Sequence, residues 1–70
     1  MKIFYIASRY GVEQRFKQDS LTDAVEAVEV SLENDMDWPV AIEVDGELIW
    51  EQSGPDSTTE SIERFKKEAL

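Results

Sequence analysis

Seventy residues form at most one domain, and such a domain buries only about 60% of the surface that its unfolded chain exposes. The chain has no Cys and no His, so disulfides and the usual zinc sites are excluded, and regular packing or self-association must support the small core. The formal net charge is −9, and no Lys or Arg occurs from Gln18 through Glu63, which argues against direct binding to nucleic acid and to anionic membranes.

Localisation follows from the same composition. The N-terminal apolar run, residues 3–7, is too short to cross a membrane and lacks the long apolar core and cleavage site of a signal peptide. Charged residues at 33% and hydrophobic residues at 41% are typical of a globular domain. We therefore expect a soluble, cytoplasmic protein with a single domain over residues 1–70.

The first predicted hairpin covers residues 2–18. In residues 2–10 both alternating sets of side chains are mostly apolar, which predicts a strand covered at least partly on both faces. Gly11 permits a turn, and residues 12–18 then alternate between apolar and charged or polar side chains. We expect a half-exposed edge strand there, where Arg15 and Lys17 discourage pairing with other chains.

A helix is predicted next. Ser20 and Asp23 resemble a capping box, which places the start of the helix at Leu21 and its end near Asn34 or Asp35. An apolar stripe at helical spacing follows this start: Leu21, Ala24, Val25, Val28 and Leu32. Because its valines lower the helix propensity, packing must stabilise this helix.

The stretch AIEVDGELIWE, residues 41–51, predicts a second hairpin around Asp45 and Gly46. A two-residue turn at these positions would place Ile42 opposite Ile49. The apolar side chains of the two strands would then lie on opposite faces of the sheet.

A shifted register removes this conflict. A three-residue turn, residues 44–46, with a bulge at Gly46 places Ile42 opposite Leu48 and Val40 opposite Trp50. Its cost is a like-charge pair, Glu43 opposite Glu47, on the exposed face. Burial of Leu48 and Trp50 outweighs that cost, so we predict the shifted register.

The last segment predicts a second, shorter helix. Ser57 and Glu60 form a capping box, and the acids precede the bases as the helix dipole prefers. Ile62, Phe65 and Ala69 line one side of this helix.

The element order is therefore β-β-α-β-β-α, an α+β fold. A right-handed crossover places the first strand between the second and third, which predicts a four-stranded antiparallel sheet in the order 2-1-3-4, packed with two helices. The first helix covers one face, and the second helix lies beside it or covers part of the other. That other face, with Ile3, Tyr5, Ala41 and Ile49, is too apolar for water and needs a helix or a second subunit.

Residues that could carry chemistry are scarce. We expect no enzyme activity, no cofactor, no catalytic residue and no metal site, because the chain lacks His and Cys. Glu26, Glu29 and Glu33 lie on the predicted solvent face of the first helix, where solvated carboxylates are the simplest interpretation. The segment Asp35 to Asp37 places two acids as at the start of a calcium loop, but the glycine and the distant Glu of that motif are missing.

The two tryptophans have two interpretations. The first assigns both to the core, with Trp50 covering the sheet and Trp38 filling the gap after the first helix. The second makes Trp38 an exposed anchor in an interface. The first is preferred, because a small core needs every large side chain.

Two functions remain. The first is a small protein-interaction module that binds another protein or itself. The alternative is a nucleic-acid mimic, in which Glu26, Glu29 and Glu33 continue a row of carboxylates from Asp23 and occupy the basic cleft of a DNA-handling protein. Binding that survives high salt is expected of the first, and salt-sensitive binding of the second.

Overall fold

The computed structural model describes residues 1–34, 37–52 and 57–70. Within these ranges the elements are β1 (Ile3–Arg9), β2 (Val12–Gln18), α1 (Leu21–Asn34), β3 (Trp38–Val44), β4 (Glu47–Glu51) and α2 (Thr58–Ala69). The strands form one antiparallel sheet in the order β2-β1-β3-β4. The predicted α+β class, element order and sheet order are confirmed.

Both helices begin at their predicted caps. The Ser20 hydroxyl accepts a hydrogen bond from the Asp23 backbone N–H at 3.1 Å, and the Ser57 hydroxyl accepts one from the Glu60 backbone N–H at 3.2 Å. Each bond satisfies an N–H group that has no partner inside the helix. The caps therefore fix where each helix starts.

A two-residue turn joins β1 and β2. Arg9 pairs with Val12, and the residues between them, Tyr10 and Gly11, have φ values of 54° and 80°. Two successive positive φ angles are typical of the hairpin turn that matches the right-handed twist of paired strands. Tyr10 therefore belongs to the turn, although the sequence placed it in the strand.

The predicted register of the second hairpin is wrong. Val44 pairs with Glu47, so the turn consists of Asp45 and Gly46, with φ values of 51° and 86°. Asp45 also binds the backbone of Lys2, accepting from its N–H through the side chain and donating to its carbonyl, each at 2.8 Å. The turn is thus the two-residue type that the sequence argument rejected.

A bulge at Ile49 resolves the conflict that led to this error. Glu43 pairs with Leu48 and Ile42 pairs with Trp50, so Ile49 is the extra residue. Trp50 therefore shares a face with Ile42, although the predicted partners of Ile42 and Trp50 were different. The expected Glu43–Glu47 pair does not form.

The core lies on the face of the sheet that the helices cover. One row of side chains crosses all four strands there: Phe16, Tyr5, Ile42 and Trp50. The rings of Tyr5 and Phe16 stack with their centroids 6.0 Å apart. Ala24, Val25 and Val28 of α1 and Ile62 of α2 are buried against this row.

Each helix is also joined to the sheet by a serine. The Tyr5 hydroxyl donates to the Ser31 hydroxyl of α1 at 2.8 Å, and the Trp50 indole N–H donates to the Ser61 hydroxyl of α2 at 3.0 Å. Both aromatic side chains therefore bury their rings and satisfy their polar groups. Burial raises the pKa of the Tyr5 hydroxyl above its usual value.

Helix α2 lies beside α1 on this same face, because Ile62 and Phe65 pack into the cluster that contains α1. Ile3 and Tyr5 belong to that cluster too, so their assignment to the second face is wrong. The pleat brings odd-numbered residues of β1 under the helices. Ala69, expected on the apolar side of α2, is exposed.

Candidate interaction face

The opposite face of the sheet is covered by no helix in the described part of the chain, and we name it the open face. It begins with the even-numbered residues of β1 and continues through the residues that pair with them. Its apolar members and the serine between them are Phe4, Ile6, Ser8, Trp38, Ala41 and Leu48.

The apolar members differ in their exposure to solvent. Ile6 and Ala41, at the centre, are 8% and 2% exposed, although neither belongs to the helix-side core. Because no described helix covers them, the longer side chains around them must do so. Trp38 and Leu48, at opposite ends of the open face, remain 63% and 48% exposed.

Arg15 is one of these longer side chains. It extends from β2 across β1, where its guanidinium lies 4.4 Å from the centre of the Phe4 ring. Its Nη2 then donates to both carboxylate oxygens of Glu43 on β3, at 2.6 and 3.0 Å. Arg15 is therefore the cover for the half-buried ring of Phe4.

The charged members of the open face nearly cancel. They are Glu13, Arg15, Lys17, Glu43 and Glu51. Two bases and three acids give a net charge of −1, whereas the chain carries −9. The rest of the molecule therefore holds almost all of the excess negative charge.

Trp38 is exposed on a fixed backbone. Before it, the Asp37 carboxylate accepts two hydrogen bonds from the Arg9 guanidinium, at 2.7 and 3.2 Å. These bonds hold the pKa of Asp37 below its usual value. After it, Pro39 is fully buried and pairs with Ala7, a member of the helix-side core. The core interpretation of Trp38 is wrong, while that of Trp50, 6% exposed, is confirmed.

The predicted acidic residues of α1 do not form one uniform row. Glu26 lies beside a cleft between α1 and β2, whereas Glu29 and Glu33 border a groove between α1 and α2. Lys66 of α2 lies 3.6 Å from the Glu29 carboxylate. A base therefore interrupts the series of carboxylates.

The cleft beside Glu26 has a volume of about 450 Å³. Tyr5, Phe16 and Val30 contribute apolar surface, and Asp23 and Glu26 are exposed at its rim. The Tyr5 hydroxyl is already used by Ser31. The described residues contain no group of three acids close enough to hold a metal ion, and Asp35 lies outside them.

Comparisons with known proteins give no relative. No family model, no curated protein and no solved structure matches this chain. Among the described residues, no helix is long and apolar enough to cross a membrane.

Sequence reasoning named Trp38 but missed Leu48 and Arg15 as members of this face. Leu48 was assigned to the core because the bulge was placed in the turn. Arg15 was predicted only to discourage pairing of the edge strand with other chains. The signal for its second role was available, because a two-residue turn at Tyr10 and Gly11 places Arg15 directly opposite Ile6.

Proposed function

We propose that this protein is a small interaction module that binds a protein surface through its open face. The proposed role is binding alone, with no catalytic step. The open face would supply a rigid sheet, on which few side chains need to be ordered when the partner binds.

The observation that carries this proposal is the exposure of Trp38 and Leu48 on a sheet face without a helix. Trp is enriched among residues that contribute most to binding energy, because a buried indole removes a large apolar area from water. The backbone of Trp38 is fixed by the Arg9–Asp37 pair and by buried Pro39. Its side chain therefore acts as a positioned anchor.

The charge distribution supports the same surface. Interface centres are depleted in unpaired charge, and the open face carries only −1 with its Arg15 and Glu43 paired. The remaining surface is strongly acidic, which favours a protein partner over nucleic acid or an anionic membrane. We propose that the module acts in the cytoplasm, where proteins without disulfides are usual.

The nucleic-acid mimic has less support. A mimic needs a run of free carboxylates at regular spacing, and Lys66 neutralises part of the charge at Glu29. Glu26 and Glu33 alone lie seven residues apart, about two helical turns.

Affinity capture with surface variants tests the proposal. The immobilised protein is incubated with extract of its native host at about 0.15 M and at about 0.5 M salt, which screen surface charge differently. The double variant Trp38→Ser/Leu48→Ser removes both exposed apolar members of the open face. We expect it to lose the protein that the unmodified chain retains at both salt concentrations.

Val30→Ser is the matched control, since Val30 is 52% exposed on α1, away from the open face. This variant should retain the partner. Retention of the same protein by the double variant would show that binding uses another surface and would refute the proposal.

A further inference from the structure

We infer that the protein surface bound by the open face is a second copy of this chain, packed face to face about a twofold axis parallel to the strands. This inference rests on the proposed function, since it names the partner of the same face. It follows from where the charges of the open face lie.

The open face is electrically asymmetric from one edge to the other. Its bases, Arg15 and Lys17, lie on β2 at one edge together with the acid Glu13, so that strand carries a net charge of +1 on this face. On β4, at the opposite edge, the face carries the acid Glu51. A twofold axis parallel to the strands brings the β2 edge of each copy over the β4 edge of the other. Unlike charges then meet at both edges.

The register makes this pairing specific. Arg15, Ile6, Ala41 and Glu51 lie in one row across the sheet. The axis places the same row of the second copy above it in the opposite order. Arg15 of each copy therefore lies over Glu51 of the other. Packed sheets are about 10 Å apart, a distance that a long Arg side chain and a Glu side chain span together.

Arg15 has the capacity for this second contact. Both of its hydrogen bonds to Glu43 come from Nη2, and the side chain is 55% exposed. A guanidinium has five N–H donors, so Nη1 and Nε remain for another carboxylate. The intramolecular pair with Glu43 holds the guanidinium at the surface without using all of its donors.

A perpendicular axis gives the opposite result. Passing through that same row, it leaves each strand over its own copy, so Arg15 meets Arg15 and Glu51 meets Glu51, while Glu13 meets Lys17 of the other copy. Like charges facing one another disfavour this arrangement.

Some of the apolar members also fit the parallel axis, whereas Leu48 lies over Lys17 and Phe4 over Glu43 of the other copy. The axis runs between β1 and β3, so Ile6 of each copy meets Ala41 of the other. Trp38 pairs with Ser8 within the chain, and the axis places it over Ser8 of the other copy. The large exposed indole therefore faces a small side chain, which leaves room for it between the sheets.

The size of the face sets the expected strength. Three strands about 23 Å long and one about 17 Å long, about 4.8 Å apart, make a face of roughly 400 Å², smaller than the about 800 Å² per partner of a standard interface. Two copies with a charge of −9 each also repel one another. We therefore expect a weak dimer that strengthens as salt rises from about 0.01 to about 0.15 M, because screening reduces this long-range repulsion.

Sedimentation equilibrium of the full chain over a concentration series up to about 1 mM tests the inference. Glu51→Arg places a base over Arg15 of the other copy at two symmetric sites. Glu47→Arg is the matched control, because Glu47 is equally charged and on the same strand but pairs with Val44 on the helix-covered face. We expect Glu51→Arg to dimerise about tenfold more weakly than Glu47→Arg, although both changes reduce the overall repulsion equally.

A mixture sharpens the test. Arg15→Glu alone also places like charges opposite each other and should dimerise weakly. Mixed with Glu51→Arg, it forms a heterodimer in which both sites again hold unlike charges, so association should return to about the level of the unmodified chain. Far-UV circular dichroism checks that Arg15→Glu folds. If this variant does not fold, the comparison of Glu51→Arg with Glu47→Arg still tests the inference.

A chain that stays monomeric to about 1 mM at about 0.15 M salt would overturn the inference, as would equal dimerisation of Glu51→Arg and Glu47→Arg. The proposed function has a separate outcome. If a different host protein is captured through Trp38 and Leu48 while the chain is monomeric, the open face is an interaction surface and only the identity of its partner is wrong.

Discussion

The two faces of the sheet are built from the same strands but are covered in different ways. On the helix side, one row across the sheet is Phe16, Tyr5, Ile42 and Trp50. The neighbouring row on the open face is Lys17, Phe4, Glu43 and Leu48, one residue along each strand and two along β4 because of the bulge. Helices bury the first row, while side chains of the sheet itself shield parts of the second.

Because of this difference, we expect helix-side residues to contribute mainly to stability and open-face residues mainly to binding. Residues on the helix side contact several elements at once, so their loss leaves a cavity that the small core cannot fill. Residues on the open face contact mainly their strand neighbours and solvent. The tryptophans allow a direct comparison, since each face has one.

Replacing the tryptophans gives the largest expected effect. Trp50→Ala should lower the free energy of unfolding by about 3–5 kcal/mol, because it removes a buried ring and the partner of Ser61. Trp38→Ala should change it by less than about 0.5 kcal/mol, because the indole is exposed. Urea unfolding followed by circular dichroism measures both. Equal losses would mean that the two faces contribute alike.

A smaller effect is expected at the polar contact beneath α1. Tyr5→Phe keeps the ring but removes the donor to Ser31, so it should cost about 1 kcal/mol at neutral pH. Tyr10→Phe removes a tyrosine hydroxyl from an exposed turn and should leave the stability unchanged. Urea unfolding of both variants measures this contact.

Tyr5→Phe also tests a pH dependence of the stability. Because burial raises the pKa of Tyr5 in the folded state, its contribution is fully present below the unfolded value near 10 and is lost as pH rises through the folded pKa. The unmodified chain should therefore lose more stability than Tyr5→Phe between about pH 9 and pH 11. Parallel losses in the two proteins would contradict the burial of this hydroxyl.

The smallest effect is expected on the open face. Arg15→Met removes the contact with Phe4 and the ion pair with Glu43, and should cost about 0.5–1 kcal/mol because both are partly exposed to solvent. Lys17→Met is the control on the same strand and face, since no ion pair of Lys17 is present among the described residues. Thermal unfolding compares the two, and an equal cost would mean that Arg15 does not cover the open face.

Much of the fold could be predicted because its signals are local. Ser20 and Ser57 cap helices through hydrogen bonds that span three residues, and these positions were correct. The sheet order followed from the handedness of the crossover and from the apolar composition of β1. These features need no knowledge of which side chains meet across the molecule.

The register of the second hairpin could not be predicted in the same way. Asp45 and Gly46 favoured a two-residue turn, whereas the apolar pattern required a shift by one residue. A bulge can satisfy both requirements at any point along the strand, and the sequence did not show that it lies at Ile49. The exposure of Leu48 follows from that choice, as does part of the open face.

The exposure of Trp38 depends on the tertiary structure as well. Its assignment to the core assumed that every large side chain is needed there, but Pro39 occupies the buried position instead. The pleat then directs Trp38 to the face without a helix. Only the placement of both helices on one side makes this residue a candidate for binding.

The serine contacts of the two helices help to give each helix a single orientation on the sheet. Apolar contacts have no preferred direction, so they fix the rotation of a helix about its axis less sharply than a hydrogen bond does. The hydrogen bonds of Ser31 and Ser61 fix the rotation of each helix about its own axis. A rotation by one residue, about 100°, would move the serine hydroxyl out of reach of Tyr5 or Trp50. Each helix is thereby held in one orientation, and this orientation also places Lys66 of α2 next to Glu29 of α1.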